Sequence, residues 1–331
     1  MSKLSIEFVE AAVESEWQQV WMECEYATFF HSPEWLHIVK EYSGGSVLPV
    51  TRKITFSDGT SAFFILSATK NLKGLVKVYE SSPLGVYGGW ISTHALSDAH
   101  AAMITSLVMK QYPGLIWRAS PFQPHDAAFP VSGSLKQEST FVVPLNMPFD
   151  ELRKKIRRNT LRNLKKAESL DLSLKKIEAR HLPAYYDCYR QSLERWQGKG
   201  SPKSHYGMEM FQQLLQSEYC DFFGVFHGGK LVCGGPILRS RRHAVSWLGL
   251  ADADYIGKGV YQYFYYHLIR HYRVQGFAWF DFNPSSSLKG VEHFKKGFAT
   301  VAMPAPVMDT RSSYVRGLQK IRRYFDSGIN S

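Results

Sequence analysis

Two stretches of this chain spell out the same order of elements. Residues 5–80 read as strand, helix, helix, hairpin and strand. Residues 172–250 repeat that order, and each stretch runs on into loop, helix and strand. In the first, β-branched and aromatic runs at 47–56 and 61–69 flank Ser57-Asp58-Gly59-Thr60, and Asp-Gly between such runs signals a hairpin. In the second, runs at 222–227, 230–238 and 243–250 are joined by Gly228-Gly229 and Ser240-Arg241. Alternation of this kind excludes an all-helical or an all-β plan. No residue-level repeat accompanies it. The 331 residues suffice for two domains of ordinary size, so two related α/β domains are the economical reading.

Between the stretches the pattern predicts one long helix over 148–170. Leu152, Ile156, Thr160, Leu164 and Ala167 step by four or three and form an inward stripe. Asp150 and Glu151 sit in its first turn, where they complement the helix dipole. Further on, Gly257-Lys258-Gly259 opens a helix that Gly276 ends. A strand at 277–282, a polar loop, a short helix at 291–298 and a strand at 300–308 follow. The expected division is a first domain over 1–146, a second over 147–309 and a basic amphipathic helix over 310–331.

Charge is concentrated. Residues 151–180 hold eleven Lys or Arg against four acids, and 311–331 hold five against one, which together account for the chain's net +11. Concentrated positive charge implies an anionic partner: phosphates, tRNA, a nucleotide-linked substrate or an anionic membrane surface. The competing reading is a solvated helix face. A 44% hydrophobic, 21% charged composition excludes a disordered or fibrous chain. No apolar run approaches the roughly 18–20 residues of a membrane span. Glu7, Glu10, Glu14 and Glu16 argue against a secretory signal. Cys24, Cys188, Cys220 and Cys233 form no C-x-x-C pair and read as reduced thiols of a cytoplasmic protein.

Three motifs in the second half carry a resemblance. Arg157-Arg158-Asn159-Thr160-Leu161-Arg162-Asn163-Leu164-Lys165-Lys166-Ala167-Glu168 resembles a basic "R-R-N-x-R-K-A" helix followed by a short strand. Phe280-Asp281-Phe282-Asn283 resembles "Y-D-F-G", and Phe294-Lys295-Lys296-Gly297-Phe298 resembles "F-K-x-x-F-G". In this order they are similar to the GNAT superfamily of acyltransferases. The closer resemblance is to the Fem-type enzymes, aminoacyltransferases of peptidoglycan bridges, and to allied bacterial acetyltransferase-like domains. The match covers roughly 148–308. In the first half only Phe29-Phe30-His31-Ser32-Pro33-Glu34-Trp35 resembles a family motif.

The resemblance implies tandem GNAT-like domains with mixed, mainly antiparallel sheets and flanking helices. It implies an N-acyltransferase using acyl-CoA or aminoacyl-tRNA, with a role in cell-envelope or polysaccharide biosynthesis. The donor stays open, because Asp254 stands at the first place of the acyl-CoA motif R/Q-x-x-G-x-G/A and a carboxylate there repels a pyrophosphate. Asn283 replaces a family glycine, and Ser82-Pro83-Leu84-Gly85 lacks the arginine of a Pro-Arg-Gly-Pro segment.

Acyl transfer to an amine needs a neutral amine, a polarised carbonyl and a protonated leaving group. By resemblance Lys295 is the candidate that stabilises the acyl group; the alternative is a surface lysine. Asp281 alternates with Phe280 and Phe282, so it either orients the amine or caps the following loop. Gly257, Lys258 and Gly259 present amides at a helix N-terminus, an anion site for the donor. Arg158 and Arg162, four apart on one face, are candidates for the anionic part of a substrate, and Tyr255 for substrate contact and proton donation. His267 and His271 lack the Glu of H-E-x-x-H and a third ligand, so no metal is expected. The alternatives in other classes are a non-enzymatic protein binding tRNA or another anionic ligand through 151–180, and a peripheral membrane protein docking through its tail.

Overall fold

The computed structural model describes residues 3–71, 76–124, 134–197, 205–285 and 288–312. The linker at 198–204 and the expected tail helix past residue 312 lie outside them. The chain divides into two compact units, Met1–Glu138 with Ala305–Ser331, and Ser139–Pro304. Both mix helices with sheets, as the element order predicts, and the sheets are mainly antiparallel, as the resemblance implies.

In the first unit the Asp58-Gly59 hairpin forms as expected. Arg52–Phe56 pairs antiparallel with Ser61–Phe64, Gly59 turns at φ 83° and the Asp58 carboxylate accepts the Thr60 N–H. The chain then leaves this sheet. Ser67–Asn71 belongs to a second sheet, so the 61–69 run is two strands. That sheet runs Val47–Pro49, Ser67–Asn71, Val76–Glu80, Leu115–Arg118, Val307–Asp309, Ser134–Lys136. Val76–Glu80 and Leu115–Arg118 are parallel, with the helix Asp98–Gln111 in the crossover between them. Phe56, Phe64, Trp90, Ile104 and Trp117 fill the core.

The second unit is one sheet in the order Leu172–Lys176, Cys220–His227, Lys230–Arg239, His243–Ser246, Trp279–Asp281, Ser139–Pro144, Val301–Pro304. The parallel neighbours here are His243–Ser246 and Trp279–Asp281, bridged by the helix Val260–Val274. That helix buries Val260, Phe264, Leu268 and Tyr272 at the four-residue spacing of one face. They meet Val143, Val225, Val232 and Phe280 from the sheet.

The expected helix over 148–170 is broken in two, Phe149–Lys155 and Arg158–Glu168. Ile156 and Arg157 are extended, with ψ of 133° and 141°. Ile156 bridges Phe298, and the Arg157 N–H donates to the Gly297 carbonyl at 3.0 Å. The apolar stripe is nonetheless buried along its length, from Leu152 to Ala167. The unit boundaries also differ from the expected 146/147 and 309/310. Ser139–Pro144 pairs with Trp279–Asp281 and Val301–Pro304, which puts it in the second unit. The 300–308 run is split, because Pro304 and Pro306 cannot donate to a ladder. Val301–Pro304 stays in the second unit and Val307–Asp309 returns to the first.

Candidate functional site

The two parallel strands of the second unit keep register for three residues, His243 opposite Trp279 through Val245 opposite Asp281. Then they part. On one side Trp247, Leu248 and Gly249 lie outside the ladder, Leu248 in the left-handed region at φ 56°. Leu250–Ala251 turns back to pair with Cys233 and Gly234. On the other side the strand ends at Asp281 and the chain turns at Asn283, φ 62°. Parted strands free backbone groups at the carboxyl end of a parallel pair, where α/β sheets hold ligands.

Buried phenols line the first side. Tyr185 Oη donates to the Leu248 carbonyl at 2.8 Å, and Ser246 Oγ lies 3.3 Å from Tyr265 Oη. Gly249 is required there, since a Cβ would fall 2.1 Å from Tyr265 Oη. Burial pushes the phenols of Tyr185, Tyr261 and Tyr265 above their ordinary value, which makes them weaker acids. Trp247 packs on Tyr206, with ring centroids 5.0 Å apart. The sequence reading missed Tyr185, Ser246, Trp247, Leu248 and Tyr265. One signal was available: Gly249 inside an apparent strand, which marks a bulge or close approach.

The second side holds two of the expected residues together. Asp281 is fully buried, and its Oδ1 accepts from Thr140 Oγ1 at 2.6 Å and from the Asn283 N–H at 2.8 Å. Lys295, also buried, donates from Nζ to the Asn283 carbonyl at 2.6 Å. Together they grip both backbone groups of the turn residue. Asn283 is itself suited to that turn, because asparagine tolerates positive φ better than other residues with a Cβ. Lys296 is exposed, 5.2 Å from the Phe141 ring centroid and 3.8 Å from a Glu292 oxygen.

The glycine turn forms a separate group with the basic helix. Gly257 and Gly259 both sit at φ 85°. A Cβ on Gly259 would fall 2.1 Å from the Asn163 carbonyl oxygen, so the glycine lets Arg158–Glu168 close on the start of Val260–Val274. Lys166 Nζ donates to the Gly257 carbonyl at 2.9 Å. Tyr255 is partly buried, its Oη 2.7 Å from His227 Nδ1 and its ring 4.4 Å from Lys258 Nζ. Lys230 Nζ, 2.8 Å from Asp252, lies 5.6 Å from the same ring, and the Asp252 hydrogen bond raises its pKa. Arg158 and Arg162 are exposed on their helix, Arg162 donating to Asn159 Oδ1 at 2.7 Å. Among the described residues no group of His, Cys, Asp or Glu is placed to hold a metal ion, and no helix is long and apolar enough to cross a membrane.

Residues 152–296 match the family model described as Acetyltransferase (GNAT) domain. No curated protein matches the chain by sequence. Among solved structures, FemX aligns at a TM-score of 0.67 and 11% identity over 96% of this chain and all of its own. L-PGS from Bacillus licheniformis aligns at 0.57 and 13% identity, covering 96% and 98%. The C-terminal domain of a putative lysylphosphatidylglycerol synthetase from Agrobacterium fabrum aligns at 0.52 and 12%, covering 80% and 85%. At such identities the likeness is one of fold. The motifs and the matched model agree: residues 152–296 match a GNAT acetyltransferase domain, in a chain whose fold is similar to that of FemX.

Proposed function

We propose that the unit Ser139–Pro304 transfers an acyl or aminoacyl group to an amine where His243–Ser246 and Trp279–Asp281 part. The observation that carries this is the opening itself, with protonated Tyr265 beside Ser246 on one side and the gripped Asn283 turn on the other. The neutral amine attacks the donor carbonyl, a C–N bond forms and the bond to the leaving sulfur or oxygen breaks. The amine's proton passes to base or solvent, and the leaving atom takes up a proton. Tyr265, a phenol at neutral pH with its Oη beside Ser246, is the proposed donor in that last step. Asp281 and Lys295 act as positioning residues through Asn283.

Charge marks where donor and substrate anions would bind. Lys166, Lys258 and the amides beyond Gly259 offer an anion site for donor phosphates, opposed by Asp252 and Asp254. An acyl-CoA and an aminoacyl-tRNA both fit such a site. Arg158 and Arg162 are assigned to the anionic part of a substrate, and a cell-envelope precursor with a free amine is the acceptor class the Fem-like fold favours.

The test incubates the full chain with radiolabelled acetyl-CoA or aminoacyl-tRNA and a panel of amines. Transfer from one donor is expected, reduced roughly 10²–10⁴-fold in Tyr265→Phe. Arg158→Ala with Arg162→Ala should raise KM and flatten its salt dependence. A folded protein that consumes neither donor overturns the proposal.

A further inference from the structure

A cavity lies on the second unit, lined by none of the residues at the parted strands. It measures about 540 Å³ and is lined by Phe149, Asp150, Arg153, Tyr266, Arg270, Arg273 and Val274. Two helix faces make it. Phe149 and Arg153 are four apart on Phe149–Lys155. Tyr266, Arg270 and Arg273 follow at four and three residues on Val260–Val274. Tyr266, the lining residue nearest the glycine turn, sits seven residues past Gly259, so about 10 Å of helix separates the cavity from that turn.

The lining is chemically uneven. Phe149 and Tyr266 meet edge to face, ring centroids 5.3 Å apart, and give an apolar wall. Arg273 is held by its Nε donating to the Met147 carbonyl at 2.6 Å. Arg153 and Arg270 are exposed, and among the described residues neither has a carboxylate within ion-pair distance. Lys154 beside them pairs with Glu151 at 2.6 Å. Three guanidiniums face one carboxylate, Asp150, which leaves a net charge of +2 on the lining. A phosphate monoester carries about −1.5 to −2 at neutral pH and matches guanidinium forks geometrically. The volume falls within the roughly 300–1,000 Å³ of small-molecule sites.

We propose that this groove binds a phosphate monoester on a flat, apolar body, the chemistry of a nucleoside monophosphate. Arg153 and Arg270 take the phosphate, the Phe149–Tyr266 wall takes the flat ring, and Asp150 accepts from a hydroxyl. The site is separate from the acyl-transfer reading and stands without it.

Adenosine monophosphate, adenosine and inorganic phosphate are titrated calorimetrically into the full chain. Adenosine monophosphate should bind at least tenfold tighter than either half. Arg153→Ala and Arg270→Ala should each weaken it about tenfold or more. Tyr266→Ala should weaken the nucleotide and leave inorganic phosphate unchanged. Lys154→Ala, which removes a nearby charge outside the groove, should change nothing. Arg153 and Arg270 are exposed, so a melting curve matching the parent is expected and confirms that the variants are folded. Equal affinity in parent and arginine variants overturns the site, as does an equal loss in Lys154→Ala. Binding to phosphatidic acid vesicles without binding of the free nucleotide replaces it with a lipid-headgroup site.

Discussion

Burial sets the protonation of His31. Its side chain is fully enclosed in the first unit, and Nδ1 accepts the Thr28 N–H at 3.1 Å, so the proton sits on Nε2. Desolvation holds its pKa down to about 4. An unfolded histidine binds its proton near 6.5. The unfolded chain therefore takes up a proton first as pH falls. Stability from this group is complete above about pH 6.5 and lost between there and about 4, by at most ~3 kcal/mol. Urea midpoints should decline over that window, and His31→Gln should flatten the decline; an unchanged slope counts against it. Lys295 makes a second case. Replacing it with Met leaves the Asn283 carbonyl without its buried donor, at about 1–3 kcal/mol. Thermal melts should show that loss, and steady-state kinetics a fall in kcat larger than any change in KM. Lys296→Met should stay within about 0.5 kcal/mol and keep its activity. Equal effects in the two variants would remove Lys295 from its positioning role.

Two glycines on one turn separate backbone strain from crowding. Gly257 and Gly259 share φ 85°, but only Gly259 lies against the Asn163 carbonyl. Gly257→Ala should cost the roughly 1–2 kcal/mol of a left-handed residue. Gly259→Ala should cost clearly more, because the helix Arg158–Glu168 must also back away, and a chemical denaturation series compares them directly. Periodicity read these elements well. The stripe from Leu152 to Ala167 is buried as its spacing requires, yet it is carried by two helices. The kink comes from a bond between Arg157 and Gly297, and a contact 140 residues distant leaves no mark on local pattern. The candidate site was legible in the same partial way. Asp281 and Lys295 were singled out, and they meet at Asn283. The phenols of Tyr185 and Tyr265 were not, since one tyrosine among eighteen looks like another until tertiary packing chooses it.

At the scale of the whole chain, the tandem order of elements was readable and its closure was not. The first unit takes Val307–Asp309 from beyond the second and seats it between Leu115–Arg118 and Ser134–Lys136, antiparallel to both. A chain ending at residue 304 lacks an interior strand of that sheet. Its first unit should exchange amide hydrogens much faster than in the full chain, with protection in 139–304 largely kept; equal protection of the first unit would contradict the pairing. The same strand fixes a timetable. A ribosome making about 5–20 residues per second needs roughly ten to thirty seconds to pass from Lys136 to Val307. Throughout that interval the first-made half waits with Leu115–Arg118 lacking a neighbour, and the second half, whose own last strand ends at Pro304, is complete just before it. Maturation should therefore run against the direction of translation, the last strand of the described residues closing the half begun first.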